Sequence, residues 1–280
     1  MEILKSSLPY DHDLVLFSDF HYGTKLLEET AVDRVRETLE TKNTFGIFGG
    51  DVCEAITVID KRWNPESDRR LLPLQQYKDT KEEFFRPLRK KIIAAMIGNH
   101  DWRLAAIFGN YLKDEICADL NIPYGGYTQK MAITDPKGKM LYKIFYTHGF
   151  GRVYSYADDP IRREANMKLQ LKRKLQDKAG DCEIMAIGHS HKLIVVEPTA
   201  RLYLYDDGHK IKAAYTTGMS GEKFIPADHR WYVNTGSFMR LYREGVIGYG
   251  ELMGYDPVDL GFAVIECRSG KIVGIRKKAI

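Results

Sequence analysis

Residues 92–101 read Ile-Ile-Ala-Ala-Met-Ile-Gly-Asn-His-Asp. Six apolar residues run into a glycine and then into three side chains that carry chemistry. An apolar run this short, closed by a turn residue, is the pattern of a buried strand. Polar groups just past such a run lie where open α/β sheets place their ligands. The stretch therefore predicts a fold class and a site together, and the rest of the chain repeats it.

Outward from it, the same pattern recurs four times. Leu14 to Ser18 leads into Asp19-Phe20-His21, and Phe45 to Phe48 into Gly49-Gly50-Asp51. Leu141 to Thr147 leads into His148-Gly149, and Glu183 to Ile187 into Gly188-His189-Ser190-His191. Helical patterns separate the strands. Leu27, Ala31, Val35 and Leu39 fall at helical spacing, as do Leu112, Ile116 and Leu120 ahead of Pro123. Asp159-Pro160 has the form of a helix start, with proline at the first helical position. Past residue 192 the pattern becomes strands alone, over 193–196, 201–205, 211–215, 230–233, 262–266 and 272–275. Asp206-Asp207-Gly208 reads as a hairpin turn among them. Mixed helices and strands followed by strands alone predict an α/β fold with two sheets face to face and helices outside.

Composition sets the bounds. The 280 residues are 44% hydrophobic and 29% charged, which argues against disordered, collagen-like and coiled-coil chains. Lys and Arg number 42 against 38 Asp and Glu, a net charge of +4. That permits an anionic substrate without demanding nucleic acid. No stretch approaches the roughly 20 apolar residues of a spanning helix, so no membrane partner is expected. The opening MEILKSSLPYDHD lacks the layout of a signal peptide. Cys53, Cys117, Cys182 and Cys267 are scattered and form no CxxC pair, which reads as reduced thiols in a cytoplasmic protein. With no repeat or Gly/Ser linker, one domain over 1–280 is expected. Cleft-lining insertions are expected at 54–91 and 195–230, with Trp63-Asn64-Pro65 as a turn in the first.

Each polar cluster alone is a common accident. Together they supply seven ligand-type side chains at strand ends. Asp19 and His21 are two residues apart, as are His189 and His191, so each pair is expected to project to one side of an extended strand end. Imidazole with carboxylate suits Zn, Mn or Fe. Seven ligands are too many for one tetrahedral ion but enough for two ions sharing a carboxylate. Two ions about 3.5–4 Å apart stabilise both the attacking and the leaving oxygen of an in-line displacement.

The ordered series Asp19-x-His21, Gly50-Asp51, Gly98-Asn99-His100-Asp101, His148-Gly149 and Gly188-His189-Ser190-His191 resembles the calcineurin-like metallophosphoesterase family, in particular its phage and prokaryotic members. Asn234-Thr235-Gly236-Ser237 resembles a further feature of it. The resemblance implies a four-layer αββα sandwich of two mixed sheets with outer helices. It implies one metal held by Asp19, His21, Asp51 and His191, and a second held by Asp51, Asn99, His148 and His189. Asp51 would bridge them, and a hydroxide between the ions would attack phosphorus. His100 would lie beside the substrate, with Asp101 orienting its imidazole. Mn is the first expectation for the ions, with Ni, Zn or Fe as alternatives.

Weaker signals complete the reading. Arg103 is four residues past Asn99 and is either a fork for a substrate phosphate or one half of a salt bridge. His229 and Tyr232, close to Asn234 in sequence, are candidates for the cleft rim. Cys53 reads as a buried filler and Glu54 as a partner to a ligand. Asp11-His12-Asp13, ahead of the first strand, reads as exposed, and His209 as solvated. The segment 161–178 carries seven basic residues, Arg162, Arg163, Lys168, Lys172, Arg173, Lys174 and Lys178, against Glu164 and Asp177. It is a solvated helix face or a nucleic-acid track, with Tyr154 and Tyr156 placed to stack on bases. The function expected is a two-metal phosphoesterase that cleaves phosphodiesters, either nucleic acid or a nucleotide-derived diester. The alternatives are a phosphomonoesterase, a pyrophosphohydrolase, or a metal-binding scaffold without turnover.

Overall fold

The computed structural model describes residues 1–57, 60, 72–217 and 223–280. The Trp63-Asn64-Pro65 turn lies outside the described residues. Strand β1 is Glu2–Ser7 and β2 is His12–Phe17; helix α1, Glu29–Glu40, leads to β3, Thr44–Phe48. Helix α2, Pro73–Thr80, continues through a π-helical turn at Lys81–Phe85 into α3, Arg86–Leu88. Then come β4, Ile92–Ala95, and α4, Asn99–Phe108. A π-helical turn at Leu112–Cys117 runs into α5, Ala118–Leu120. Strands β5, Thr128–Thr134, and β6, Met140–Thr147, precede α6, Pro160–Leu175. Strands β7, Ile184–Ile187, β8, Leu193–Val196, β9, Leu202–Asp206, and β10, Ile211–Tyr215, follow. Strand β11, Trp231–Thr235, short helix α7, Tyr249–Leu252, β12, Gly261–Arg268, and β13, Lys271–Ala279, complete the chain.

Two sheets result. One has six strands in the order β1-β5-β6-β7-β11-β8, the other five in the order β13-β12-β2-β3-β4. Their apolar faces meet in a central core that includes Leu14, Leu16, Ile47, Ala94, Ile144, Ala186 and Val233. The outer face of the five-stranded sheet packs on α1, α2 and α3 through Val35, Leu39, Tyr77, Phe85 and Leu88. The outer face of the six-stranded sheet packs on α6 through Leu171 and Leu175. The layers run helix, sheet, sheet, helix, which is the αββα sandwich the sequence implied.

Local sequence explains these elements. In α1 the buried Ala31, Val35 and Leu39 recur every four residues, giving one apolar face. Helix α6 starts where expected: Asp159 Oδ1 accepts the Arg162 N–H at 2.7 Å, and Pro160 fills the first turn. Strands β7 and β4 are nearly continuous apolar runs because both sheet faces are covered.

Some expectations change. His12 is not exposed: it opens β2, is 1% exposed, and sits between the Pro9 carbonyl and the Tyr142 hydroxyl. Strand β1 precedes it as an edge strand paired to β5, so β2 is not the first strand. The 201–215 segment is a hairpin, β9 paired antiparallel to β10, with His209 exposed at its turn. Among the described residues no helix is long and apolar enough to cross a membrane.

What matters for chemistry is direction. Strands β2, β3 and β4 are mutually parallel, as are β6, β7 and β11. Their carboxyl ends converge across the sandwich, where Ser18 Oγ meets Thr235 Oγ1 at 2.7 Å and the Phe238 N–H reaches the Asp19 carbonyl at 3.1 Å.

Candidate metal centre

Five strand ends deliver the expected ligands: Asp19 and His21 after β2, Asp51 after β3, Asn99 after β4, His148 after β6, His189 and His191 after β7. The turns are not extended. Asp19, His21, Asp51, His189 and His191 all have φ between 51° and 65°. Non-glycine residues rarely adopt this left-handed conformation, and such strain collects at functional sites. The Asp19/His21 and His189/His191 pairs therefore converge through left-handed turns, not through the alternation of an extended strand. Room also matters: a Cβ on Gly98 would lie 2.1 Å from Asp51 Oδ1, so only glycine lets β4 end against that carboxylate.

The ligand side chains form two groups, and His21 also belongs to a third with Glu54 and His100. Asp19, His21 and His191 bring one ligand atom each within 4.8 Å of one another, and so do Asp51, His148 and His189. In the first group His191 Nε2 lies 3.3 Å from Asp19 Oδ1 and 3.1 Å from His21 Nε2. In the second, His148 Nε2 is 3.3 Å from Asp51 Oδ2. Asn99 Oδ1 lies 3.0 Å from His148 Nε2 and 2.6 Å from His189 Nδ1. Asp51 Oδ2 is also 3.8 Å from His21 Nε2, so this one carboxylate faces both groups.

Whether these residues fit cations is tested by one atom. Asp19 is fully buried, yet its Oδ1 has no hydrogen-bond partner among the described residues. A buried carboxylate oxygen left so is costly. It is aimed between two imidazole nitrogens, a donor set of the kind that holds Zn, Mn or Fe. The residues present fit a divalent cation in each group.

The charges agree. Burial opposes charging His21, but the Glu54, Asp51 and Asp19 carboxylates outweigh it and raise the imidazole to about 9. Burial opposes the charge on His148 as well, and Asp51 chiefly overcomes it, again to about 9. His189 falls to about 4, through burial first and the neighbouring His148 second. Burial would raise Asp19, yet the imidazoles of His191, 3.3 Å from its Oδ1, and of His148 hold it at about 2. The carboxylates draw protons onto His21 and His148; a divalent cation would supply that positive charge instead.

Neighbours hold the ligands in place. His21 Nδ1 lies 2.7 Å from Glu54 Oε2, which presents Nε2 to the cluster. His148 Nδ1 is fixed by the Gly49 carbonyl at 2.9 Å. Asp19 Oδ2 accepts from the His189 N–H at 3.0 Å and from Ser18 Oγ. His100 lines the same cavity, with Nδ1 at 2.6 Å from the Glu54 carbonyl and its own N–H donated to Asp51 Oδ1 at 2.9 Å.

Asp101 departs from its expected role. Its carboxylate makes no hydrogen bond to the His100 ring among the described residues. Its carboxylate accepts the N–H groups of Asp51 at 2.8 Å, Val52 at 3.2 Å and Gly98 at 2.9 Å, and the Tyr77 hydroxyl. The cause is local: Asn99–Phe108 is a helix, and Asp101 occupies its third position, folded back onto Gly98. Adjacent residues on a helix do not face one another. The Glu54 carbonyl, not Asp101, orients His100, while Asp101 clamps the turn that carries Asp51.

Two weaker candidates lie apart. Arg103 is 57% exposed and paired to Asp60 at 3.3 Å, the salt-bridge reading. His229 precedes β11, at the end opposite the ligands, with Nε2 bound to Thr216 Oγ1 at 2.7 Å; it does not rim the cleft. Tyr232 is buried with its hydroxyl on the Ala227 carbonyl. Cys53 is fully buried, and burial pushes its thiol well up, as a filler requires. Glu54, Ile56 and Gln76 of the segment 54–91 line the cavity, and no described residue of 195–230 does. On α6, Lys168 pairs with Glu164 and Lys172 with Asp228, and Lys174 donates to the Phe150 carbonyl. Sequence reasoning missed Tyr77, an aromatic residue in the mostly polar helical stretch 73–80, and the 239–250 wall described below.

No protein-family model matches the chain, and no curated protein matches it. Among solved structures, wild-type Vps29 from Entamoeba histolytica complexed with Zn2+ aligns over 96% of this chain and 98% of its own, at 12% identity and a TM-score of 0.40. A conserved uncharacterized protein from Streptococcus pneumoniae TIGR4, a predicted phosphoesterase, aligns over 96% and 98% at 14% identity and a TM-score of 0.32.

Proposed function

We propose that this chain is a calcineurin-like metallophosphoesterase that hydrolyses phosphodiesters with two divalent cations, Mn first among them. One observation carries the reading: seven side chains from five strand ends converge as two groups that face a shared Asp51, around a buried Asp19 oxygen with no hydrogen-bond partner among the described residues. When bound, such a metal pair supplies Lewis-acid stabilisation of the phosphoryl oxygens and an activated water.

The chain's own residues would do the rest. Asp19, His21 and His191 hold one ion; Asn99, His148 and His189 hold the other; Asp51 serves both. Glu54 and the Gly49 carbonyl keep the Nε2 atoms of His21 and His148 turned inward. His100 lines the cavity with its Nδ1 tied to the Glu54 carbonyl, which makes Nε2 the ring nitrogen for the substrate. From there it protonates the leaving oxygen or steadies charge on the phosphoryl group.

The experiment is a substrate panel after chelation. Bis(4-nitrophenyl) phosphate, 4-nitrophenyl phosphate and a pyrophosphate ester are assayed with Mn, Ni, Zn and Mg. Metal-dependent turnover with the diester fastest is expected. Metal uptake without turnover on any ester would leave a metal-binding scaffold and end the enzymatic reading.

A further inference from the structure

We infer that one ester arm of the substrate is compact and apolar or aromatic, lodged against a wall built from residues 239–250. The preferred substrate is then a small diester, not a nucleic-acid strand. The inference rests on the reading of the site as a phosphodiesterase and names the substrate class within it.

The cavity over the ligand groups measures about 220 Å3. His21, Asp51, Asn99, His100, His189 and His191 form its polar side. Leu26, Met239, Leu241, Val246, Ile247 and Tyr249 form the other. Two of these apolar residues remain open to solvent, Ile247 at 49% and Tyr249 at 43% exposure. Large apolar side chains that stay uncovered beside ligand-type polar groups are the composition of a small-molecule site, where a few polar groups orient and an apolar lining holds.

The wall is anchored to the loop after His21. The Arg240 N–H donates to the Leu26 carbonyl at 2.9 Å, and Arg243 Nη1 donates to the Lys25 carbonyl at 2.6 Å. Arg240 also pairs with Glu28, and Met239 bridges to Leu27. A Cβ on Gly248 would come within 2.6 Å of Leu26 Cδ1, so glycine there lets the wall close against Leu26. These contacts fix the distance between the wall and the metal ligands, and with it the size of the arm.

Size and chemistry then select. The space is about 220 Å3. That suits a phosphoryl group with one ring and is below the range of about 300–1,000 Å3 for larger ligands. A strand must run on past the cleaved bond, and a phosphate on the wall side would meet Leu241 and Ile247; the basic Lys25, Arg36 and Arg243 line the adjoining cavity beyond Val246 instead. Strand binding instead needs Lys or Arg at each phosphate, and a charge set against apolar carbon is not compensated.

Two substrates with one leaving group test this: methyl 4-nitrophenyl phosphate and phenyl 4-nitrophenyl phosphate, assayed with the Mn-loaded protein beside a single-stranded oligonucleotide. The phenyl ester should show a KM lower by about tenfold or more, the scale on which apolar pockets discriminate. Met239→Ala and Ile247→Ser, measured separately, should each pull the phenyl-to-methyl ratio toward one. Equal KM values in the unaltered protein, a ratio untouched in both variants, or faster cleavage of the oligonucleotide would overturn the inference alone. Failure to hydrolyse any diester would instead overturn the reading beneath it.

Discussion

The two ends of the sandwich bury similar residues to opposite effect. At the amino ends of the strands lie His12 and Arg230, each 1% exposed. His12 has both ring nitrogens occupied, by the Pro9 carbonyl and the Tyr142 hydroxyl, each at 2.6 Å. Arg230 donates to the carbonyls of Ile225, Gln176 and Ala179. At the carboxyl ends, His21 and His191 turn nitrogens toward each other, and Asp19 Oδ1 has no partner among the described residues. The titrations diverge too. Burial dominates at His12 and lowers it, whereas carboxylates dominate at His21 and raise it to about 9. Burial alone does not mark a site. Convergence of polar atoms that the protein does not itself satisfy does.

The sharpest way to break this contrast is Asp51→Asn. Removing the carboxylate that faces both groups should abolish turnover on a nitrophenyl diester, and a variant retaining substantial activity would refute the shared role. Next, His100→Ala should keep its bound metal and lose about 10²–10⁴-fold in kcat. A larger loss on poor leaving groups than on nitrophenyl esters marks proton donation; equal losses mark charge stabilisation. Third, Asp101→Asn puts an amide NH2 against three backbone N–H donors. It should cost about 1–3 kcal/mol in denaturant unfolding, with metal affinity weakened about 10–100-fold, as for a lost orienting partner. If His100 orientation were its role, stability would be spared.

The smallest effect belongs to the other end. His12→Phe should lose about 1–3 kcal/mol by stranding the Tyr142 hydroxyl, while any metal-dependent turnover of the loaded protein stays unchanged. Its pH signature follows from sign. The folded imidazole titrates below its ordinary 6.5, so between those values the unfolded chain binds more protons. His12 therefore stabilises the fold fully above pH 6.5, and that contribution is lost as pH falls through 6.5 toward its folded value. Thermal unfolding between pH 7.5 and about 5.5 should drop less in His12→Phe than in the unaltered chain; an equal drop would contradict it.

Much of this was legible in the sequence because the information is local. Apolar runs such as Ile92–Ala95 and Ile184–Ile187, each followed by polar side chains, marked strands and ligands in one motif. Where the sequence misled, a longer-range or conformational fact decided. Asp19 and His21 meet through left-handed turns, and nothing in a two-residue spacing reveals φ. Asn99-His100-Asp101 reads only as polar groups past a strand end, but it opens helix α4, which turns Asp101 away from its neighbour. Strand β1, EILKSS, has no buried residue in the structure and shows no buried-strand run in sequence. The wall at 239–250 faces the ligands only because Arg240 and Arg243 anchor it to the loop at residues 25–28, more than 200 residues earlier in the chain.

The central claim, two cation sites sharing one carboxylate, is tested most directly by counting ions. Chelated protein is titrated with Mn2+ by calorimetry, and bound metal is measured after gel filtration, for the unaltered chain and for Asp51→Asn. The account predicts two equivalents per chain in the first and weakened binding of both in the second. A single equivalent in the unaltered chain, or two tightly held equivalents that survive Asp51→Asn, would contradict it.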